Sequence, residues 1–273
     1  MKTRVGIPIA LVIPIVCTAL SANAGTLTEF GLGFGVVYTQ TGPSTVDLWG
    51  GVLSVYVSTL GAGDFASGAL TYCGGGAGCP LPLTPIFGGF MGGGSSPTLS
   101  ALEAAFPFGD YTVTLSGPGT ASTTIDHSQD LFPADIPMLA PAAYDALQGL
   151  DTASGITLDF NSFSPDPSAT FARTDLIISP TSPGSSFQNF GLTTTSLFVP
   201  ANTLLPSTSY EWTLTFIEGI SSPDSNGVDD EQYFYVNTEG TFTTGASTPE
   251  PGTVVLMSLG LALCVFRVKR LGR

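Results

Sequence analysis

Residues 210–216 read YEWTLTF, and this stretch decides the fold class. Apolar residues, three of them aromatic, occupy every second position, and Glu or Thr fills the positions between them. Successive side chains of a strand point to opposite faces of a sheet, so this period of two is typical of a half-buried strand. Residues 111–115 (YTVTL) and 156–160 (ITLDF) alternate in the same way. We therefore predict an all-β protein.

Working outward from these runs, shorter apolar and β-branched segments predict five more strands. These segments cover residues 52–57, 176–178, 197–199, 232–236 and 241–244. Clusters of Ser, Pro, Asp and Gly separate the strands and are typical of turns. Only residues 99–105 and 141–149 have the composition of short helices. Short strands divided by turns favour β-sandwiches over an α/β sheet.

An internal repeat suggests two such sandwiches. Residues 106–115 and 205–214 share Pro, Tyr, Thr and Leu at matching positions, at a distance of about 100 residues, which is the size of one sandwich domain. We predict tandem β-sandwich domains over residues 25–127 and 150–246, with residues 128–149 as the connector.

The second copy of the repeat resembles a known family. Residues 205–210 (LPSTSY) are similar to the turn of fibronectin type III and bacterial immunoglobulin-like (Ig-like) domains, and residues 240–244 resemble the final strand of those domains. The resemblance implies that Tyr210 is a tyrosine corner, whose hydroxyl bonds back to nearby backbone.

Charge is distributed very unevenly along the chain. The chain carries 7 Lys plus Arg, 21 Asp plus Glu and a net charge of −14. Between Gly25 and Pro251, Arg173 is the single base and all 21 acids occur, so this body carries −20. An acidic body is unsuited to nucleic acid, because binding the phosphate backbone requires a basic surface.

The N-terminal residues 1–24 have the form of a secretory signal peptide. Two bases precede an apolar stretch, and Ala22 and Ala24 satisfy the small-x-small rule for cleavage before Gly25. Signal peptidase would then release a mature chain that begins at Gly25. The alternative is an uncleaved anchor.

Residues 247–273 have three parts in a fixed order. Pro249-Glu250-Pro251 is followed by an apolar stretch over residues 253–266, which is about 21 Å long as a helix and short for a bilayer core of about 30 Å. A basic tail closes the chain. Its bases are Arg267, Lys269, Arg270 and Arg273. The positive-inside rule would keep this tail cytoplasmic and the body outside.

This order resembles the PEP-CTERM sorting signal of Gram-negative bacteria. The resemblance implies that an exosortase, a membrane cysteine transpeptidase-like enzyme, cuts near residues 249–251. The protein would then be inserted transiently in the inner membrane before it reaches the cell surface or the medium. Proteins of this class are associated with exopolysaccharide production. The alternative is a simple tail anchor in which the prolines only end the preceding strand.

Two cysteines lie in the predicted mature body. Cys73 and Cys79 flank a glycine-rich segment, and in an oxidising compartment they can close a small disulfide loop worth about 2 kcal/mol. A free redox pair is the alternative. Metal binding by these two thiols is not favoured, since no partner ligands stand near them in the sequence.

The densest group of oxygen ligands lies between two predicted strands. It consists of Asp224, Asn226, Asp229, Asp230 and Glu231. Ca²⁺ takes six to eight oxygen ligands, so this loop is a candidate contributor to a calcium site, and it faintly resembles the Asp/Asn/Gly loops of thrombospondin-type repeats. The ligand spacing is incomplete, and we favour a solvated acidic hairpin loop. No other cofactor is indicated.

The sequence gives little support to catalysis. His127 is the single histidine, and its neighbours Asp126 and Ser128 point to the opposite face of a strand, so the three cannot form a local relay. We predict a surface or interdomain position for His127. The glycines over residues 31–35 lack the spacing of a dinucleotide-binding loop and have no helix after them, so we interpret them as a strand or turn.

Two classes of function remain. The first is a secreted surface or extracellular-matrix protein without catalytic activity, associated with exopolysaccharide as the sorting signal implies. The second is a carbohydrate-binding protein that uses exposed aromatic side chains. Its candidates are Trp49, Trp212, Tyr233, Phe234 and Tyr235, of which Trp212 is predicted to be buried. An extracellular hydrolase is kept for contrast only.

Overall fold

The computed structural model describes residues 25–60, 65–72, 79–224 and 226–246. These residues form thirteen strands and two short helices. The strands are β1 Thr26–Gly42, β2 Thr45–Leu60, β3 Ser67–Tyr72, β4 Leu81–Ile86, β5 Gly89–Ser96, β6 Gly109–Ser116, β7 Thr120–His127, β8 Ile156–Asp159, β9 Phe171–Pro180, β10 Phe187–Leu192, β11 Ser196–Val199, β12 Ser209–Pro223 and β13 Asp229–Thr243. The helices are α1 Leu99–Ala105 and α2 Pro141–Leu147. The predicted all-β class is confirmed, and both predicted helices are present. The predicted terminal helices lie outside the described residues.

Eleven strands follow one another in a single hydrogen-bonded series. Their order is β10-β9-β12-β13-β1-β2-β5-β4-β3-β6-β7, and β8 and β11 form a separate pair. The paired strands are antiparallel except β1 and β13, which run parallel. In the part of the chain that the structure describes, no helix is long and apolar enough to cross a membrane.

Two hydrophobic cores lie against this series. In the first, β7 packs over β1 and β13, and Phe30, Phe34, Tyr111 and Phe234 are fully or almost fully buried. In the second, α2, β8 and β11 cover β9 and β12, and the largest buried side chain is Trp212. Strands that are apolar on one face bury that face against a second layer, which gives two sandwiches.

The two sandwiches share strand β13. Phe234 on β13 packs in the first core and Phe242 on the same strand packs in the second. The predicted connector, residues 128–149, also enters the second core through Leu139 and Leu147. The predicted domain bounds remain a prediction, but the packing joins the two units through one continuous sheet.

The tyrosines of the internal repeat play matching roles. Tyr210 accepts a hydrogen bond from the backbone N–H of Leu205 at 2.8 Å, and Tyr111 donates to the carbonyl of Pro107 at 2.8 Å. Each hydroxyl therefore ties the start of a strand to the turn before it. The predicted tyrosine corner at Tyr210 is confirmed in its geometry.

This geometry gives a prediction for stability. Tyr210→Phe removes one part-buried hydrogen bond and leaves the Leu205 N–H without its acceptor, so we expect the free energy of unfolding to fall by about 1 kcal/mol. Tyr111→Phe is the matched variant in the first sandwich and should cost a similar amount. Urea unfolding followed by circular dichroism measures both, and two unchanged midpoints would contradict this role.

Candidate functional site

Three tyrosine rings lie in a line along the outer face of strand β1. Tyr56 comes from β2, and Tyr233 and Tyr235 come from β13, the neighbours of β1 on either side. The ring centroids of Tyr56 and Tyr233 are 6.3 Å apart, and those of Tyr233 and Tyr235 are 6.0 Å apart. We call these three residues the tyrosine strip. All three are half-buried.

The strip exists because β1 has glycine at alternate positions. Gly31, Gly33 and Gly35 point to the outer face, opposite Phe30, Leu32 and Phe34 of the first core. A Cβ atom built on each glycine would overlap the ring of Tyr56, Tyr233 or Tyr235, respectively. The rings therefore lie directly on the backbone of β1, as glycine in a strand permits.

Two carboxylates meet the hydroxyl at one end of the strip. The Tyr56 hydroxyl lies 2.8 Å from Glu29 Oε1 and 2.6 Å from Glu231 Oε2, and Ser58 donates to the second oxygen of Glu29 at 2.9 Å. Burial and these two hydrogen-bonded carboxylates raise the pKa of Tyr56. Burial raises the pKa of Tyr235 to about 12. The strip is therefore neutral and its end is acidic.

The single base of the body also lies near the strip. Arg173 on β9 is close enough to lower the pKa of Tyr233, although burial raises that pKa overall. Its guanidinium Nε is paired with Asp175 at 3.1 Å. Because this pair is neutral, the net charge around the strip comes from Glu29 and Glu231 beside Tyr56 and from Glu239, whose charge also raises the pKa of Tyr235.

The structure sorts the predicted sugar-binding aromatics into three groups. Trp212 and Phe234 are fully buried, as predicted for Trp212, and cannot contact a ligand. Trp49 is 61% exposed, near the start of β2, and is not one of the strip residues. Tyr233 and Tyr235 belong to the strip. Tyr56 was not among the predicted sugar-binding aromatics, and the glycines beneath the rings were not predicted to have a role.

The structure brings only part of the predicted calcium set together, since Asp224 and Asp230 both accept from the Thr123 hydroxyl, at 3.2 and 3.3 Å. Asp224 accepts hydrogen bonds from the backbone N–H groups of Asn226 and Val228, which close the turn. On β13, Asp230 faces Thr123 of the first core, whereas Glu231 points to the opposite face and contacts Tyr56. Alternation along a strand separates neighbouring carboxylates in this way.

The remaining member of the set, Asp229, is exposed at the start of β13. Across the described ranges, no group of three or more His, Cys, Asp or Glu residues is placed to hold a metal ion.

His127 is buried, which rules out the predicted surface position, but its contacts come from both predicted domains, Phe34 from the first and Phe234 from the second, as the interdomain alternative requires. Its ring is 3% exposed and stacks on Phe34 with centroids 4.0 Å apart, and Phe108 and Phe234 also contact it. The Nδ1 atom pairs with the side-chain amide of Gln232. Burial lowers the pKa of His127 to about 4, against a small opposing effect of Asp126. A neutral histidine fits here because its apolar ring face joins the aromatic core.

Several predicted residues cannot be compared with the structure. Cys79 is half-buried, and its Sγ atom lies 3.7 Å from the carbonyl oxygen of Tyr72. Cys73 lies outside the described residues, so the disulfide stays a prediction. The signal-cleavage residues Ala22 and Ala24 and the whole sorting signal also lie outside them, whereas Gly25 is described and directly precedes β1.

Comparison with known proteins adds little to this description. No family model and no curated protein matches the chain. Solved structures that match include one from a study of host cell surface retention of a 1.5-MDa bacterial ice-binding adhesin, with 16% identity and a TM-score of 0.24 over 81% of this chain and 66% of the other.

Two further matches have similar values. Domains FN1–FN3 of chicken CNTN1 match with 8% identity, a TM-score of 0.25 and coverage of 82% and 68%. Domains A168–A170 of titin match with 11% identity, a TM-score of 0.24 and coverage of 81% and 67%. The chain thus spans about two thirds of these solved chains. Its all-β sandwich class rests on its own strand pairing and cores.

Proposed function

We propose that this chain is an exported, non-catalytic surface or extracellular-matrix protein that an exosortase processes at Pro249-Glu250-Pro251. The observation that carries the proposal is that the folded body lies between the predicted signal peptide and the predicted sorting signal. Strand β1 begins at Thr26, next to the predicted cleavage point, and β13 ends at Thr243, shortly before the Pro-Glu-Pro motif. The folded body thus occupies the interval that export would leave outside the membrane.

The direction of the two strands supports this function. Since β1 and β13 are parallel, the start of β1 and the end of β13 lie at opposite ends of the sheet. A strand of 17 residues spans about 55 Å at about 3.3 Å per residue. A body held by its tail would therefore place the second sandwich near the membrane and the first sandwich, with the tyrosine strip, farther out. The acidic surface would keep such proteins apart from one another at low salt.

Replacement of Pro249, Glu250 and Pro251 by Ala tests the proposal in the full chain. We expect the native protein to appear outside the cell at a mass that lacks residues 253–273. The variant should keep this tail and stay in the membrane fraction. Intact-mass spectrometry of the two cell fractions gives both readouts.

A matched control lies in the body of the same chain. Residues 165–167 are Pro-Asp-Pro, in an exposed loop between β8 and β9. Their replacement by Ala should leave tail removal and export as in the native protein. If the native protein and both variants all keep the tail in the membrane, the Pro-Glu-Pro motif is only a linker, and the tail is an anchor.

The tyrosine strip favours a second candidate function, the binding of polysaccharide. Rows of aromatic rings offer flat faces with a negative quadrupole, and the C–H groups on the face of a sugar ring carry the complementary partial charge. The half-buried strip is fixed on the backbone of β1, so it loses little conformational freedom on binding. In this view the protein attaches to a matrix polymer through the outer face of its first sandwich.

A further inference from the structure

We infer that the tyrosine strip binds a polysaccharide whose sugar units carry protonated amino groups. The inference rests on the second proposed function and names the class of polymer. Two structural features support the inference: the three stacked rings, and the carboxylate pair Glu29 and Glu231 at the end of the row. No other described face of the sheet combines a row of rings with paired carboxylates in contact with one of them.

The row of rings determines how the polymer would lie along β1 and how its sugar units would be spaced. Their centroids follow β1 at intervals of 6.3 and 6.0 Å, close to the length of one sugar unit in an extended polymer. The planes of Tyr233 and Tyr235 are inclined by only 25°, so two successive sugar rings can lie on them. Tyr56 is inclined by 43° to Tyr233 and closes the row beside the carboxylates.

The carboxylates set the charge of the ligand. The Tyr56 hydroxyl has one hydrogen and two carboxylate neighbours, at 2.8 and 2.6 Å, so it can donate to only one of them at a time. An ammonium group has three donors and a positive charge, and it can satisfy the carboxylate that the hydroxyl leaves without a hydrogen. A sugar with a protonated amino group brings that donor while its ring stacks on Tyr233.

The acidic surface around the strip disfavours a negatively charged polymer. The body carries −20, and Arg173 beside the strip is neutralised by Asp175. A polymer of acidic sugars would place its carboxylates against Glu29 and Glu231 and be repelled. Neutral sugars could stack on the rings but would leave the charge of the pair unbalanced.

Binding of four soluble sugar hexamers to the exported protein tests this inference. The probes are hexamers of glucosamine, N-acetylglucosamine, glucose and galacturonic acid, compared by calorimetry at a mildly acidic pH that keeps the amino groups protonated. We expect the glucosamine hexamer to bind tightest and galacturonic acid not at all. Acetylation should weaken binding by about tenfold, the scale of one charge-assisted hydrogen bond.

Variants separate the contribution of the rings to binding from the contribution of the carboxylates. Tyr233→Ala should weaken binding of the glucosamine hexamer by about tenfold, the scale of one lost stacking contact. Glu231→Gln keeps an oxygen for Tyr56 and should remove most of the preference for the amino sugar while the fold stays intact. Trp49→Ala, an exposed aromatic off the strip, is the matched control and should bind as the native protein does. Circular dichroism confirms that each variant is folded.

The outcomes distinguish the preference for amino sugars from polysaccharide binding by the strip in general. Equal binding of the glucosamine, N-acetylglucosamine and glucose hexamers overturns the amino-sugar inference but leaves polysaccharide binding by the strip in place. Binding that is lost in Trp49→Ala but unaffected by Tyr233→Ala overturns the strip as the site. No binding of any hexamer by the folded native protein overturns the inference and the second proposed function together.

Discussion

Trp212→Ala should lower the free energy of unfolding by about 4 kcal/mol, the usual cost of emptying a buried tryptophan site. The indole is fully buried near the start of β12, and it faces Gly240 of β13 in register. Its Nε1 atom has no hydrogen-bond partner among the described residues, so the loss comes from packing alone. The total free energy of unfolding of a domain is about 5–15 kcal/mol, so we expect much weaker export or a largely unfolded second sandwich.

Trp49→Ala is the matched control for this prediction. Trp49 is 61% exposed, so its removal should change the free energy of unfolding by less than about 0.5 kcal/mol. Urea unfolding followed by circular dichroism compares the two variants without relying on tryptophan fluorescence. Equal midpoints for both variants would contradict the assignment of Trp212 to the second core.

The sequence predicted the core of the second sandwich because period-two alternation reports burial directly. Residues 210–216 form part of β12 with the predicted face inward, and the helix over residues 99–105 has the predicted bounds. Local patterns were sufficient for these elements, since each depends on side chains only a few positions apart.

The tyrosine strip could not be predicted in the same way. Tyr56 and Tyr233 are 177 positions apart in the chain and meet only because β2 and β13 flank β1. The one local signal was glycine at positions 31, 33 and 35, alternate positions of a strand. That spacing marks a face where something approaches the backbone closely, but it does not name the approaching group.

Long-range pairing also explains the error at His127. The sequence around His127 alternates as a strand, but it does not reveal that β7 packs over β1 and β13. That packing places the ring between Phe34 and Phe108 and excludes the surface position, one of the two positions predicted for His127. The sharing of β13 by two cores has the same origin, since the parallel pairing of β1 and β13 joins the two ends of the body.

The buried His127 should contribute a loss of stability as the pH falls. Burial lowers its pKa to about 4 in the folded protein, against 6.5 for an unperturbed histidine. As the pH falls, the imidazole of His127 therefore takes up its proton in the unfolded chain before it does so in the folded protein. The contribution of neutral His127 to the free energy of unfolding is complete above pH 6.5 and is lost between about pH 6.5 and 4. The expected loss from this residue is about 3 kcal/mol.

His127→Phe isolates this effect, because it keeps an aromatic ring against Phe34 and removes the titrating group. Asp230 acts in the opposite direction, since burial raises its pKa to about 6 and its carboxyl is destabilising once it ionises as the pH rises through that range. The native protein shows the sum of both groups. We therefore expect Asp230→Asn to lose more stability in acid than the native protein, and His127→Phe to lose none or to gain some, because Asp230 then titrates without the opposing imidazole. Urea midpoints at pH 7 and pH 4 measure both effects. If His127→Phe has the same pH dependence as the native protein, the imidazole is not neutral in the folded core, and the stacking on Phe34 must then accommodate a charged ring.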